Sequence, residues 1–260
     1  MSDTNIPPPP LHTQNPLGRF SDRADDYAKY RPSYPPAAVD CVLEGLAPPE
    51  TLIAADIGAG TGISSRLLAE RGVTVRAIEP NAAMRAAALP HPQIEFLPGT
   101  AEQTGLAEGS MDLVICCQSF HWFNPLLALP EFHRILKPGG RVAVMWNNRD
   151  LDDEFTRRYS TLVEAASDRS VLDHDDRKSA HPLGDSPLFT GYRQFSFTHS
   201  QTLTPVGLLG LALSASYVPK SGTACEQLRA DLQCLCDEWS LHASTIALVY
   251  RTNVFLAEAM

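Results

Sequence analysis

Three glycines at alternate positions, Gly58, Gly60 and Gly62, separate an apolar run ending in Asp56-Ile57 from a helix-patterned segment, Ile63 to Arg71. Residues without a Cβ let the main chain turn sharply and come within contact distance of a ligand, and the helix that follows offers unpaired N–H groups. A second β-branched run, Val73 to Ile78, ends on Glu79. A carboxylate at that strand tip can accept both hydroxyls of a ribose. A dinucleotide fingerprint, G-x-G-x-x-G, would place its third glycine where Ile63 stands; here the third glycine comes one residue early. That spacing disfavours a dinucleotide.

A β-α-β unit must hold these residues, and the chain supplies one followed by more of the same grammar. Leu52 to Ile57 and Val73 to Ile78 read as the first two strands. Gln93 to Pro98, Met111 to Cys117 and Arg141 to Asn147 read as three more. Helices are predicted over Ala37 to Leu46, Thr61 to Glu70, Asn81 to Leu89 with the Asn81 amide as cap, and Asn124 to Leu136. From Asp150 the alternation lapses. A helix over 151–167, an edge strand over 192–198, an apolar helix over 205–216, an amphipathic helix over 225–238 and a final strand over 246–256 are expected. Upstream, Phe20, Ala24 and Tyr27 mark one face of a short helix that Ser21 could cap, ended by Arg31-Pro32.

Asp56-Ile57-Gly58-Ala59-Gly60-Thr61-Gly62 resembles motif I of the class I S-adenosylmethionine-dependent methyltransferases, (D/E)-x-G-x-G-x-G. Gly99-Thr100-Ala101-Glu102, Gln118-Ser119-Phe120-His121-Trp122-Phe123 and Leu136-Lys137-Pro138-Gly139-Gly140 follow in order, each next to a predicted strand. In wording these are similar to the type 11 methyltransferase domain group, most closely its trans-aconitate methyltransferase-like branch. The likeness implies an α/β fold, a doubly wound, seven-stranded, mostly parallel sheet of order 3-2-1-4-5-7-6 with its last strand antiparallel, helices on both faces and a helical lid. It also implies S-adenosyl-L-methionine as donor, S-adenosyl-L-homocysteine as product and no metal.

Carried onto this sequence, the resemblance sets Asp56, Gly58, Ala59, Gly60, Glu79, Pro80, Met84, Gln118 and Ser119 around the donor, with Thr100, Ala101 or Glu102 at its base. Thr100 stands where the commoner pattern has an acid, so the base contact is open between Thr100 and Glu102. Arg31 lies in an arm expected to fold over the donor and meet its carboxylate, for which a guanidinium fork is suited. Tyr27, Tyr30, Phe120, His121, Trp122, Trp146, Asn147, Ser216 and Tyr217 are the expected acceptor pocket. His121 suits either a general base, with an unperturbed pKa near ~6.5, or a side chain that orients the aromatic loop.

The expected function is methyl transfer to a small molecule, with a carboxylate as one acceptor. The alternatives are an NAD-linked oxidoreductase and a donor-binding protein without turnover. Residues 1–17 are expected to form a disordered, proline-rich tail without chemistry, and 18–260 one domain: arm and helix at 18–50, donor core at 51–149, acceptor lid at 150–220, closing helix and strand at 221–260. Net charge is −9, and no run of basic residues exceeds a pair, so nucleic acid is not expected as a partner. Without a secretion signal or a spanning run of ~20 apolar residues, a cytoplasmic protein with no membrane partner is expected. The six cysteines contain no C-x-x-C pair and are expected to be reduced and structural; Asp173-His174-Asp175-Asp176 reads as a solvated turn, not a metal site.

Overall fold

The computed structural model describes residues 10–14, 18, 20–168, 171, 179–239 and 244–260. The Asp173-His174-Asp175-Asp176 run and most of the proline-rich segment lie outside them.

β-branched and small apolar residues fill strands β1 (Ile53–Ile57), β2 (Thr74–Ile78), β3 (Ile94–Leu97), β4 (Met111–Cys117), β5 (Leu136–Arg149), β6 (Phe189–Leu203) and β7 (Ile246–Ala259). They form one sheet of order β3-β2-β1-β4-β5-β7-β6. The pairs among β1 to β5 are parallel; β7 runs antiparallel to both β5 and β6. This is the doubly wound order expected from the resemblance, with its direction reversing between β1 and β4.

Because successive side chains on a strand point to opposite faces, each central strand feeds two cores. Val114 and Cys116 pack on one face with Phe132 and Ile135 of α5 (Pro125–Ile135). Leu113, Ile115 and Cys117 pack on the other, against Val39 of α2 (Pro36–Leu43) and Leu68 of α3 (Ile63–Ala69). Burying a side chain such as Leu68 or Phe132 stabilises by roughly 1.5–3 kcal/mol. A satellite core joins α6 (Glu154–Ala165), α8 (Pro205–Leu213) and α9 (Thr223–Trp239) around Tyr159, Leu211 and Leu232, and Tyr250 of β7 closes it. Between these lie α7 (His181–Gly184) and, earlier in the chain, α1 (Ala24–Tyr30) and α4 (Ala82–Ala86). On α9 Cys236 is buried and Cys234 exposed, as their spacing requires.

Local signals and tertiary context agree at most helix starts and disagree at one. Asn81 caps α4 as expected, its Oδ1 accepting from Ala83 N at 2.9 Å. Ser21 does not cap α1: the helix begins after Arg23, and Ser21 Oγ instead accepts from Asn81 Nδ2 at 2.8 Å, fastening the arm to the loop after β2. The aromatic arm is also held from the far end of the chain, where Arg23 Nη1 donates to the carbonyls of Leu213, Ala215 and Val218. Part of the proline-rich segment has regular structure. Leu11–Thr13 forms a single 3-10 turn with Leu11 buried.

Candidate active site

The glycine turn sits where β1 ends, at the reversal of the sheet. Gly58, Gly60 and Gly62 all have positive φ, at 67°, 60° and 81°. A Cβ on Gly58 would stand 2.7 Å from Ser119 Cβ, and one on Gly62 2.7 Å from Phe96 Cζ. The first lets the β1 and β4 loops touch; the second lets α3 start against β3. A Cβ on Gly60 would meet Met84 Cε at 3.3 Å and Tyr27 Cε1 at 3.7 Å, filling the floor of the cleft above the turn. The bare backbone therefore leaves open space above the turn that a side chain at Gly60 would take up.

Glu79 braces the glycine turn. Its Oε2 accepts from Gly60 N at 2.9 Å and its Oε1 from Asn81 N at 2.8 Å. Burial raises the Glu79 carboxyl pKa, against the lowering effect of those two backbone bonds. A carboxylate has about four lone-pair sites, and these bonds occupy two of them in a residue that lines the cleft described below. Asp56 is different from the expectation. It is fully buried beneath the turn, Oδ2 accepts from Ser64 Oγ and Ser65 Oγ at 2.6 Å each, and it lines neither of the two cavities that flank the turn. Desolvation lifts its carboxyl to about 6 despite the two hydroxyls. Asp56 fixes the start of α3, which orients the glycine turn, and does not itself line the site.

Two cavities flank the turn. A cleft of about 370 Å³ runs over Gly58 and Gly60, past Glu79, Pro80 and Met84, to Thr100, Ala101, Glu102 and Ser119. Ser119 is fixed by donating to Ile57 O at 2.8 Å, and Glu102 by accepting from Asn124 N at 2.9 Å. A smaller chamber of about 150 Å³ lies beyond, walled by Arg31, His121, Trp146, Asn147, Ser216 and Tyr217. Phe20, Tyr27, Gln118 and Trp122 line both. Ala59 and Arg31 border a narrow recess between them, next to Gly58 and Gln118.

Gln118 is the sole non-glycine residue with positive φ among the described residues, at 56°. A left-handed residue with a side chain costs about 1–2 kcal/mol. Two bonds to β5 hold it there, Gln118 N to Met145 O at 2.9 Å and Nε2 to Asn147 O at 3.0 Å. Such strain is characteristic of ligand sites, and Gln118 faces both cavities. Asn147 is equally fixed: it donates to Ser33 O at 3.0 Å and accepts from Thr252 Oγ1 at 2.6 Å. Arg31 lies over the Tyr27 ring at 4.8 Å and donates through Nη2 to Ser214 O at 3.2 Å, while its Nε is buried without a partner among the described residues. His121 packs between Trp122 and Trp146, with ring centroids 4.7 Å and 5.1 Å away.

Two expected pocket residues are elsewhere. Phe120 turns into the central core, 4% exposed, because residues 120–122 form a 3-10 turn that rotates successive rings to different sides. Phe123 reaches the cleft in its stead. Tyr30 packs on α8, where a Cβ on Gly210 would come within 2.2 Å of its ring, and lines neither cavity. Sequence reasoning missed Phe20 and His12 on the larger cleft, and Arg149, Glu164 and Tyr250 on the chamber. Only the i, i+2 spacing of Asn147 and Arg149 at the end of β5 could have signalled one of them.

A methyltransferase domain family matches residues 55–144 of the chain. An uncharacterized methyltransferase of Mycobacterium tuberculosis is 35% identical over 202 residues, 76% of this chain and 76% of its own. An uncharacterized methyltransferase-like protein of Schizosaccharomyces pombe is 34% identical over 252 residues, 93% of this chain and 96% of its own. Among solved structures, the geranyl diphosphate C-methyltransferase of Streptomyces coelicolor, in complex with Mg2+, geranyl diphosphate and S-adenosyl-L-homocysteine, is similar at a TM-score of 0.54 and 13% identity, covering 98% of this chain and 100% of that one. At that identity the likeness is one of fold.

Proposed function

This chain belongs to the methyltransferase domain family, and from that premise we propose that it moves a methyl group from S-adenosyl-L-methionine to a carboxylate oxygen of a small acid, releasing S-adenosyl-L-homocysteine. The observation that carries the reading is the shared wall. One cleft shaped over a glycine cradle and one smaller chamber meet at Phe20, Tyr27, Gln118 and Trp122.

The donor, when bound, supplies an electrophilic methyl on a positively charged sulfur. The protein's own contribution is alignment and the exclusion of water. Glu79 takes the ribose hydroxyls with its remaining lone-pair sites, and Met84 and the Thr100–Glu102 loop hold the base. Gly58, Gly60 and Gln118 surround the amino-acid tail, whose carboxylate Arg31 receives in the recess beside Ala59. Tyr27, tethered under Arg31, and Trp122 keep water from the junction. Burial raises the Tyr27 phenol, so that it stays neutral there. A carboxylate acceptor is already deprotonated at neutral pH and needs no base. His121, clamped between two indoles, then serves to orient the acceptor.

Calorimetric titration with S-adenosyl-L-homocysteine and with NADH tests the donor assignment: micromolar binding of the first and none of the second is expected. Incubation with methyl-labelled donor and small acids should give label that alkali releases as methanol, the signature of an ester. Binding with no labelled product from any acceptor class would instead favour a donor-binding protein without turnover.

A further inference from the structure

Residues 10–14 belong to a segment expected to carry no chemistry, yet they are built onto the larger cleft. Three bonds shape the turn at Leu11–Thr13. Pro10 O accepts from Thr13 N at 2.9 Å and from Thr13 Oγ1 at 2.7 Å, and Leu11 O accepts from Gln14 N at 3.0 Å. A turn of three residues does not persist on so few bonds, because ordering it costs more conformational freedom than they return. Tertiary packing holds it: Leu11 is buried, and the turn lies against the 3-10 turn at Phe120–Trp122 that follows β4.

The next residue, His12, is half-buried and lines the larger cleft, but neither the smaller chamber nor the recess beside Ala59. The cleft wall on the β4 side is Ser119, Trp122, Phe123, Asn124 and Leu127. That wall joins the Thr100–Glu102 loop through Asn124 N, which donates to Glu102 Oε1 at 2.9 Å. Asn124 Oδ1 is also used, accepting from Leu126 N at 3.1 Å. The polar side chains of this corner are thus partly engaged within the protein, whereas the His12 ring has no hydrogen-bond partner among the described residues. A neutral imidazole offers a flat face, one N–H donor and one acceptor nitrogen. Adenine presents the complementary set: a π face, an exocyclic amine and ring nitrogens that accept.

We propose that His12 is a specificity-determining residue for the donor, closing over its nucleobase, and that Leu11 is the anchor that keeps it there. The inference rests on the assignment of this cleft to the donor. In that reading Glu79 takes the ribose and Arg31 the amino-acid tail, in the recess that His12 does not reach; the base is what remains for the imidazole. Because single contacts act mainly on dissociation, His12 sets how long donor and product stay bound.

The test uses the full chain and two probes, S-adenosyl-L-homocysteine and 5′-methylthioadenosine, which has the nucleoside and the sulfur but lacks the amino-acid tail. Affinity is read by calorimetry and dissociation by stopped flow. His12→Ala should weaken both probes about fivefold or more, by equal factors and through faster dissociation, since the lost contact lies on the part they share. His12→Phe keeps a stacking face and should recover part of the loss. Leu11→Ser retains the imidazole but removes its anchor, and should reproduce the H12A loss. S-adenosyl-L-homocysteine binding in H12A within twofold of the unmodified protein, or a loss confined to the probe with the tail, overturns the inference and leaves the donor assignment standing. Unchanged binding in L11S beside a loss in H12A removes the anchoring role. Absence of S-adenosyl-L-homocysteine binding in the unmodified protein removes inference and assignment together.

Discussion

Gly58→Ala against Gly105→Ala separates the steric demand of the cradle from the general cost of a side chain in the left-handed region. Both glycines have positive φ, 67° and 75°. They differ in surroundings: an added Cβ at Gly105 meets nothing within 4 Å, whereas at Gly58 it stands 2.7 Å from Ser119 Cβ and 3.1 Å from Phe123 Cζ. The backbone term, about 1–2 kcal/mol, applies to both. Overpacking adds about 1–3 kcal/mol at Gly58 alone, because Ser119 Cβ is fixed to the main chain and cannot swing away. At about 2–4 °C per kcal/mol for a chain of this size class, Gly105→Ala should lower Tm by roughly 2–8 °C and Gly58→Ala by roughly 4–20 °C. The added methyl also pushes the β1 turn away from Ser119. S-adenosyl-L-homocysteine affinity should fall at least tenfold in G58A and stay unchanged in G105A, read by scanning calorimetry and titration. Equal Tm shifts in the two variants, with donor affinity intact in both, would falsify the account of the cradle.

Glu79→Gln turns one of two accepting oxygens into a donor, so either Gly60 N–H or Asn81 N–H loses its acceptor. A loss of about 1–3 kcal/mol in stability and a tenfold or greater loss in S-adenosyl-L-homocysteine binding are expected, and unchanged affinity would sink its assignment to the ribose. Asp56 makes stability depend on pH in the less usual direction. Its folded carboxyl is lifted from 3.8 to about 6, so the native state holds a proton that the unfolded chain releases. The associated stability, at most about 3 kcal/mol, is full below about pH 4 and lost as pH rises through about 6. Asp56→Asn should remove that contribution from the urea-unfolding profile between those values, where Glu79 adds a slope of the same sign and Glu131, Glu258 and His199 add slopes of the opposite sign; a profile identical to that of the unmodified protein would show that Asp56 does not titrate there. His121→Gln should raise acceptor KM, reduce kcat less than tenfold and leave the shape of the kcat–pH profile as it was. A drop of a hundredfold with the acid limb removed would show that the imidazole moves a proton and would exclude a carboxylate acceptor.

The spacing of Gly58, Gly60 and Gly62 and the acid after the second β-branched run are written in the sequence because each depends on local geometry: a positive φ, a strand end, a helix start. The alternation of apolar residues likewise determined which segments became strands. The same locality explains the errors. Ser21 has the composition of a cap, yet Asn81, sixty residues away, claims its hydroxyl. Phe120 and Phe123 look equivalent as ring-bearing loop residues until a single 3-10 turn sends one into the core and the other to the cleft. Asp56 belongs to the glycine motif in the chain but faces Ser64 and Ser65 in space, since the strand alternates and its side chain falls beneath the turn. Arg149 carries no motif, and only the packing of β5 against α6 and β7 leaves it over the Tyr159 ring in a chamber that Glu164 also lines. Sequence decided what each segment could become, through backbone torsion and side-chain period; tertiary structure decided which side chains face one another, because those contacts join residues whose separation along the chain holds no information about direction.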